Sequence, residues 1–209
     1  MERRLHSSKD NRHTLRLGVM GSASPDFEPA VGQKCRELGR AIAARAYCLL
    51  TGACGGLPHE CVLGAREIGI HTVGISPASS LQEHIEVFDS PYREYDVMIY
   101  TGLGLMGREL INIRSSDAVV IVGGRTGTLG EFAIAHEEGK VIGVLQGTGG
   151  IADLLSELEP QLNKETGSEV LYETRPEKLV ARLIDAALGR TEERDLNAAQ
   201  ERGVHEERQ

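Results

Sequence analysis

The hydrophobic pattern switches repeatedly between two periods along the chain. Ala118–Val122 is an unbroken apolar run rich in β-branched residues, Ala-Val-Val-Ile-Val. That is the pattern of a strand buried on both faces of a parallel sheet. Short apolar runs recur at Leu15–Met20, Tyr47–Leu50, His71–Ile75, Val97–Tyr100 and Lys140–Leu145, with a further strand expected over Glu169–Tyr172. Between them the spacing turns helical. Over Pro29–Arg45, Val31, Cys35, Leu38 and Ile42 fall on one side,. Further helices are expected over His59–Ile68, Leu105–Ser116, Thr128–Glu138, with Gly139 as C-cap, Ile151–Leu158 and Pro176–Leu188,. On the 105–116 helix, Met106, Leu110 and Ile113 make the apolar face, and Arg108 and Asn112 share a different one,. Residues 79–95 show little periodicity and read as a connecting excursion.

Strands alternating with helices predict an α/β protein with a Rossmann-like, doubly wound, mainly parallel sheet of six or seven strands and helices on both faces. Ligands of such sheets lie beyond the carboxyl ends of the strands, at the switch in strand order. Glycine bends follow the strand candidates at Gly21-Ser22, at Gly52 to Gly56, at Gly102 to Gly104 and at Gly123 to Gly127. All four are expected on that edge. A glycine loop between a buried strand and a helix N-terminus suits an anion, because free N–H groups and the helix dipole both face it. No Lys-Ser/Thr follows Gly127, so the loop is not a P-loop,.

Composition narrows the class. The 209 residues carry a formal charge of −8, a balance that speaks against a nucleic-acid-binding surface. Met1 to His13 is polar and basic with no apolar stretch, so no cleaved leader is expected, and no apolar run is long enough to span a membrane,. The four cysteines, Cys35, Cys48, Cys54 and Cys61, form no CxxC pair and no disulfide framework, which predicts a reduced, cytoplasmic setting,. The domain is expected over 15–188, between a disordered arm at 1–14 and a charged tail at 189–209,.

Several residues are candidates for chemistry. Arg108 lies just inside a helix that follows a glycine loop, where a guanidinium can clamp a phosphate or carboxylate,. Arg125 lies within the central glycine loop. Thr128-Leu129-Gly130-Glu131 reads as a capping box, with Thr128 at N-cap and Glu131 at N3,. The same Glu131 sits at the mouth of an anion site, where a carboxylate can act as acid, base or charge stabiliser. Cys54 with His59 and Cys61 matches no established metal-ligand spacing, so no metal is expected,. Arg114 and His136 read as structural.

Gly123-Gly124-Arg125-Thr126-Gly127-Thr128-Leu129-Gly130-Glu131 resembles the PGGxGTxxE signature of the Lonely Guy family, also described as lysine decarboxylase-like, and Arg108 matches the arginine of that family's M-x-x-R-K segment. The likeness runs from about Leu15 to Leu188, within the wider SLOG superfamily, which includes DprA-like proteins and molybdenum-cofactor carriers. It implies a Rossmann-like fold that assembles as a homo-oligomer, usually a dimer, and cleavage of the N-glycosidic bond of nucleoside 5′-monophosphates. Arg108 and Glu131 would be the catalytic residues. Gly21, Ser22, Gly52, Gly55, Gly56, Gly123, Gly124, Arg125, Thr126, Gly127 and Thr128 would hold the phosphate. The chain departs from the family's pattern in four places, one being Gly52-Ala53-Cys54-Gly55-Gly56 where the enzymes have a Gly-Gly-Gly loop. Gly123 replaces the proline, Arg125 replaces a glycine, and Glu109 reverses the charge of the lysine beside the arginine. These departures look more like the carrier branches than the hydrolases.

The expected activity is therefore binding of a small phosphate-bearing molecule, with phosphoribohydrolase action on nucleoside monophosphates as one reading. A non-catalytic carrier of a nucleotide signal or of the molybdenum (pterin) cofactor is the other. No cofactor is required by either.

Overall fold

The buried apolar runs assemble as their composition predicts. All five residues of β5 (Ala118–Val122) are buried, and they alternate between two cores. Ala118, Val120 and Val122 join one core with Leu17, Val19 and Leu49, while Val119 and Ile121 join a second with Met20, Phe132 and Ile142. The computed structural model describes residues 15–190. The expected N-terminal arm, and the expected tail from 191 onward, lie outside the described residues.

Seven strands form one sheet, β1 (Arg16–Gly21), β2 (Cys48–Thr51), β3 (His71–Ser76), β4 (Val97–Tyr100), β5, β6 (Val141–Leu145) and β7 (Glu169–Glu173). Their order is β4-β3-β2-β1-β5-β6-β7, and every neighbouring pair is parallel. The order reverses between β1 and β5, where Gly21 pairs with Val122 at the carboxyl ends. Connections leaving those two strands diverge to opposite sides, which opens a crevice there.

The helices are α1 (Pro29–Ala43), α2 (Leu57–Arg66), α3 (Leu81–Glu86), α4 (Gly104–Ser115), α5 (Thr126–Glu137) and α6 (Gly150–Leu158), followed by α7 over 176–190. One face of the sheet is covered by α1, α2 and α7 through Cys35, Leu38, Ile42, Cys61, Leu179 and Leu183. The other is covered by α4, α5 and α6 through Ile113, Phe132, Ala135 and Leu155. Residues 189–190, expected in the tail, continue α7.

Three local expectations are corrected. The 79–95 excursion contains α3, whose N-cap Ser80 accepts a hydrogen bond from the Glu83 N–H at 3.2 Å. The signal was a short cap sequence rather than a hydrophobic period. Second, Thr128 is not an N-cap. The helix α5 starts at Thr126 with Arg125 as N-cap and no side-chain cap bond. Thr128 is buried in the first turn, packed over Gly124, whose φ of 96° and missing side chain make that close approach possible,. Third, the apolar face of α4 is not its buried face. Only Ile113 of the three goes inside, whereas Met106 is 71% exposed and the buried positions are Arg108, Glu109, Asn112 and Ile113.

Candidate functional site

A cavity of about 440 Å³ opens at the carboxyl ends of β1 and β5, a volume that suits a small-molecule ligand. Its walls come from four segments of the chain. Gly21 to Ser24 follow β1, Arg125, Gly127, Thr128 and Glu131 come from the start of α5, and Leu105, Met106, Arg108 and Glu109 come from α4, with Cys54 from the loop after β2. The strand β4 lies at the far edge of the sheet. Its loop therefore does not reach the cavity, and its contribution arrives through α4.

Arg108 is the centre of this arrangement. It is 8% exposed, and its guanidinium lies against Gly52, in the space a Cβ at that position would fill. One guanidinium nitrogen reaches Cys54 Sγ at 3.6 Å, and another stands 4.0 Å from Glu131 Oε1. Its Nε has no hydrogen-bond partner. One helical turn further, the buried Asn112 donates to Met20 Sδ at 3.1 Å and leaves its Oδ1 unpartnered.

The two carboxylates of the cavity sit in different surroundings from an ordinary surface glutamate. Glu131 is 6% exposed. Burial lifts its carboxyl from the ordinary 4.5 to about 7; Arg108 pulls it down and Glu109 pushes it up,. Glu109 is 5% exposed, and burial raises it too, against the pull of Arg108. With the exposed Arg125, two guanidinium groups and two carboxyl groups line one cavity, one of each from α4 and one of each from the start of α5.

The central glycine turn is held from behind. The Gly123 N–H donates to Thr148 Oγ1 at 2.9 Å, and the Gly124 and Gly123 carbonyls accept from the Ile151 and Ala152 N–H groups at 2.9 and 3.1 Å. Of the residues singled out in the sequence, Gly21, Ser22, Arg108, Arg125, Gly127, Thr128 and Glu131 line the cavity. Gly52 supports Arg108 from below. Gly123, Gly124, Gly55, Gly56 and Thr126 stand outside the lining. Gly123 and Gly124 shape the turn, and Gly56 lets the loop after β2 close on Ser22, whose carbonyl accepts from the Leu57 N–H at 2.8 Å. Ala23, Ser24, Leu105 and Met106 were not anticipated, because nothing in their local sequence distinguishes them from loop and apolar-face residues. Cys61 is buried beside Cys35 between α1 and α2, away from Cys54. Among the described residues no group of three His, Cys, Asp or Glu side chains is placed to hold a metal ion.

The chain has relatives among known proteins in both sequence and structure. Residues 14–180 match the SLOG cluster4 family (LDcluster4). The molybdenum cofactor binding protein of the phototrophic bacterium Rippkaea orientalis is similar in structure, with a TM-score of 0.67 at 30% identity, over 83% of this chain and 96% of that one. The molybdenum cofactor carrier protein of Chlamydomonas reinhardtii superposes with a TM-score of 0.66 at 30% identity, over 84% of this chain and 99% of that one. An uncharacterised protein of Archaeoglobus fulgidus is 32% identical over 132 residues, which is 63% of this chain and 80% of that one.

Proposed function

The chain belongs to the SLOG cluster4 family, and from that premise we propose that it binds a phosphate-bearing heterocycle, the molybdenum cofactor or a nucleotide, in the cavity between β1 and β5 and carries it without turnover. The observation behind this reading is Arg108, a buried cation on the cavity wall whose Nε lacks a partner. A buried polar group of this kind is ordinarily satisfied, and an incoming acceptor would satisfy it. The donor set fits both parts of such a ligand. Arg125, the hydroxyls of Ser22 and Ser24 and the first turn of α5 line the outer part and suit a phosphate,. The inner groups, Arg108, Glu109 and Glu131, suit the polar edge of a ring. The relatives in Rippkaea and Chlamydomonas, which bind or carry the molybdenum cofactor by name, support the carrier reading.

The test is a thermal-shift and calorimetric panel of the full chain with molybdopterin-containing cofactor and nucleoside 5′-monophosphates. A true ligand raises the melting temperature by mass action, and Arg108→Ala lowers its affinity on the order of a hundredfold. If no member of the panel binds, the reading falls.

Glu131 favours a second reading, hydrolysis of the N-glycosidic bond of nucleoside 5′-monophosphates. Its carboxyl, poised at about 7 and 4.0 Å from Arg108, has the proton affinity of a group that exchanges protons at neutral pH. Incubation with AMP then releases adenine and ribose 5-phosphate, and Glu131→Gln abolishes release while sparing binding. Release that persists in the variant excludes this mechanism.

We also infer that the chain pairs with a second copy through the outer face of α4. Leu103, Met106 and Leu110 stand exposed there, with Val97 and Ile99 of the edge strand β4 also uncovered. Clustered exposed apolar residues mark contact surfaces. Met106 also lines the cavity, so a second copy on this face would complete one wall. Light scattering of wild type and of Met106→Glu with Leu110→Glu tests this, with loss of the dimer expected in the double variant. The four cysteines are free, which supports a cytoplasmic setting, and no helix among the described residues is long and apolar enough to cross a membrane.

A further inference from the structure

The most unusual group in the cavity is Glu109. It follows Arg108 directly in sequence, yet its carboxylate forms no ion pair within 4.0 Å and accepts no hydrogen bond among the described residues, while 95% of the residue is withdrawn from solvent (5% exposed). The reason is directional. The Arg108 guanidinium turns toward Gly52, Cys54 and Glu131. Glu109 lies against another part of α5. Its two oxygens lie 3.7 Å and 3.3 Å from the points where Cβ atoms of Gly127 and Gly130 would stand. These glycines, three residues apart on one helix face, leave a bare strip on which the carboxylate rests. The strip carries no side-chain donor, and no hydrogen bond from α5 to the carboxylate is found among the described residues. The open side of the carboxylate faces the cavity.

An ionised carboxylate only accepts hydrogen bonds. On a cavity wall and without a partner of its own, it is complementary to a ligand edge that presents two adjacent donors, and it repels a phosphate. We propose that Glu109 is a specificity-determining residue that reads a paired-donor edge of the ligand, an interaction that rests on the ligand-binding reading above. Two parts of a nucleotide-like or pterin-like ligand carry such an edge. One is the amino and ring N–H pair of a 2-amino-4-oxo ring, shared by guanine and pterin. The other is the vicinal diol of a ribose. The same interaction fixes the ligand's direction in the cavity. The donor edge lies inward against Glu109, and the phosphate lies outward toward Arg125 and the Ser22–Ser24 loop.

Calorimetric titration of the full chain with GMP, IMP, AMP and 2′-deoxy-GMP separates the sources, in wild type, Glu109→Ala and Glu109→Gln. IMP lacks only the 2-amino group of GMP, and 2′-deoxy-GMP lacks only one hydroxyl. If the ring is read, wild type prefers GMP over IMP on the order of tenfold, and the preference collapses to within about twofold in both variants. If the sugar is read, the preference is for GMP over 2′-deoxy-GMP and collapses in the same way. Melting of the unliganded variants checks that they fold. Wild-type preferences that survive both substitutions overturn the proposal while leaving the ligand-binding reading intact. So does a uniform gain in affinity for all four nucleotides, because Glu109 would then act only by repelling phosphate. Failure of all four to bind wild type overturns the proposal together with the nucleotide reading.

Discussion

Two buried polar clusters stand at the carboxyl edge of the sheet, and they are built to opposite rules. At the end of β3, Ser76 and His84 are both fully buried. The Ser76 hydroxyl lies 2.8 Å from His84 Nδ1 and accepts from the Ala78 N–H at 3.0 Å, and His84 Nε2 lies 3.1 Å from the Pro91 carbonyl. Each ring nitrogen therefore has a partner. In the crevice between β1 and β5, Arg108, Glu109 and Glu131 are nearly as deeply buried, but Arg108 Nε has no partner and the Arg108–Glu131 separation is 4.0 Å. The first cluster is complete without a ligand and pins the 79–95 segment to the sheet. The second is incomplete and lines a cavity. A serine–histidine pair, which carries the more familiar chemical signature, is here the structural one.

Four measurements would break or sharpen that contrast. The largest effect belongs to His84→Ala, which leaves the Ser76 hydroxyl and Pro91 carbonyl unpaired and opens a hole. A loss of about 3 kcal/mol in chemical unfolding is expected, with ligand affinity unchanged. A comparable loss of affinity would erase the distinction between the two clusters.

Glu131→Gln acts in the opposite direction. The folded chain holds the Glu131 proton up to about pH 7, whereas the ordinary carboxyl releases it near 4.5. The native state therefore binds more protons than the unfolded state across that window, and stability falls as pH rises from about 4.5 through 7. The amide removes this slope, so at pH 8 the variant is expected to be more stable than wild type by on the order of 2 kcal/mol. At pH 4 the gain disappears. Equal stability of the two proteins at both pH values would refute the placement of a charged Glu131 in the cavity.

Gly52→Ala tests whether the cradle under Arg108 positions it. A methyl group at 52 pushes the flexible end of the guanidinium aside rather than colliding with backbone. Affinity should fall roughly tenfold with melting nearly unchanged. The smallest effect is that of Ser80→Ala, which removes the α3 cap and is expected to reduce stability by about 1 kcal/mol, again without a change in binding.

The architecture was legible because it rests on local signals. A run such as Ala118–Val122 has no polar side to expose, so it must lie in the middle of a covered sheet, and the alternation with helical spacing then demands parallel crossovers. The central loop and Arg108 were legible for the same reason, since glycines and a helix start mark a backbone that approaches closely to something. Less was visible at single side chains. The capping-box pattern at Thr128 and Glu131 matched a local rule, but packing of Thr128 over Gly124 moved the helix start to Thr126. The short α3 lacked a hydrophobic period because the residue it buries is His84.

What the residues alone determined, then, is the order of strands and helices and the edge where a ligand would lie, because secondary structure and strand burial follow from neighbours a few positions apart. The tertiary structure decided which side of α4 faces inward. By its apolar residues that helix would bury Met106 and Leu110, yet it buries Arg108, Glu109 and Asn112. The surface it meets is the crevice at the strand-order switch, formed by the loops after β1 and β2, far upstream in sequence, together with the start of α5. Only there can a polar face be withdrawn from water beside a cavity.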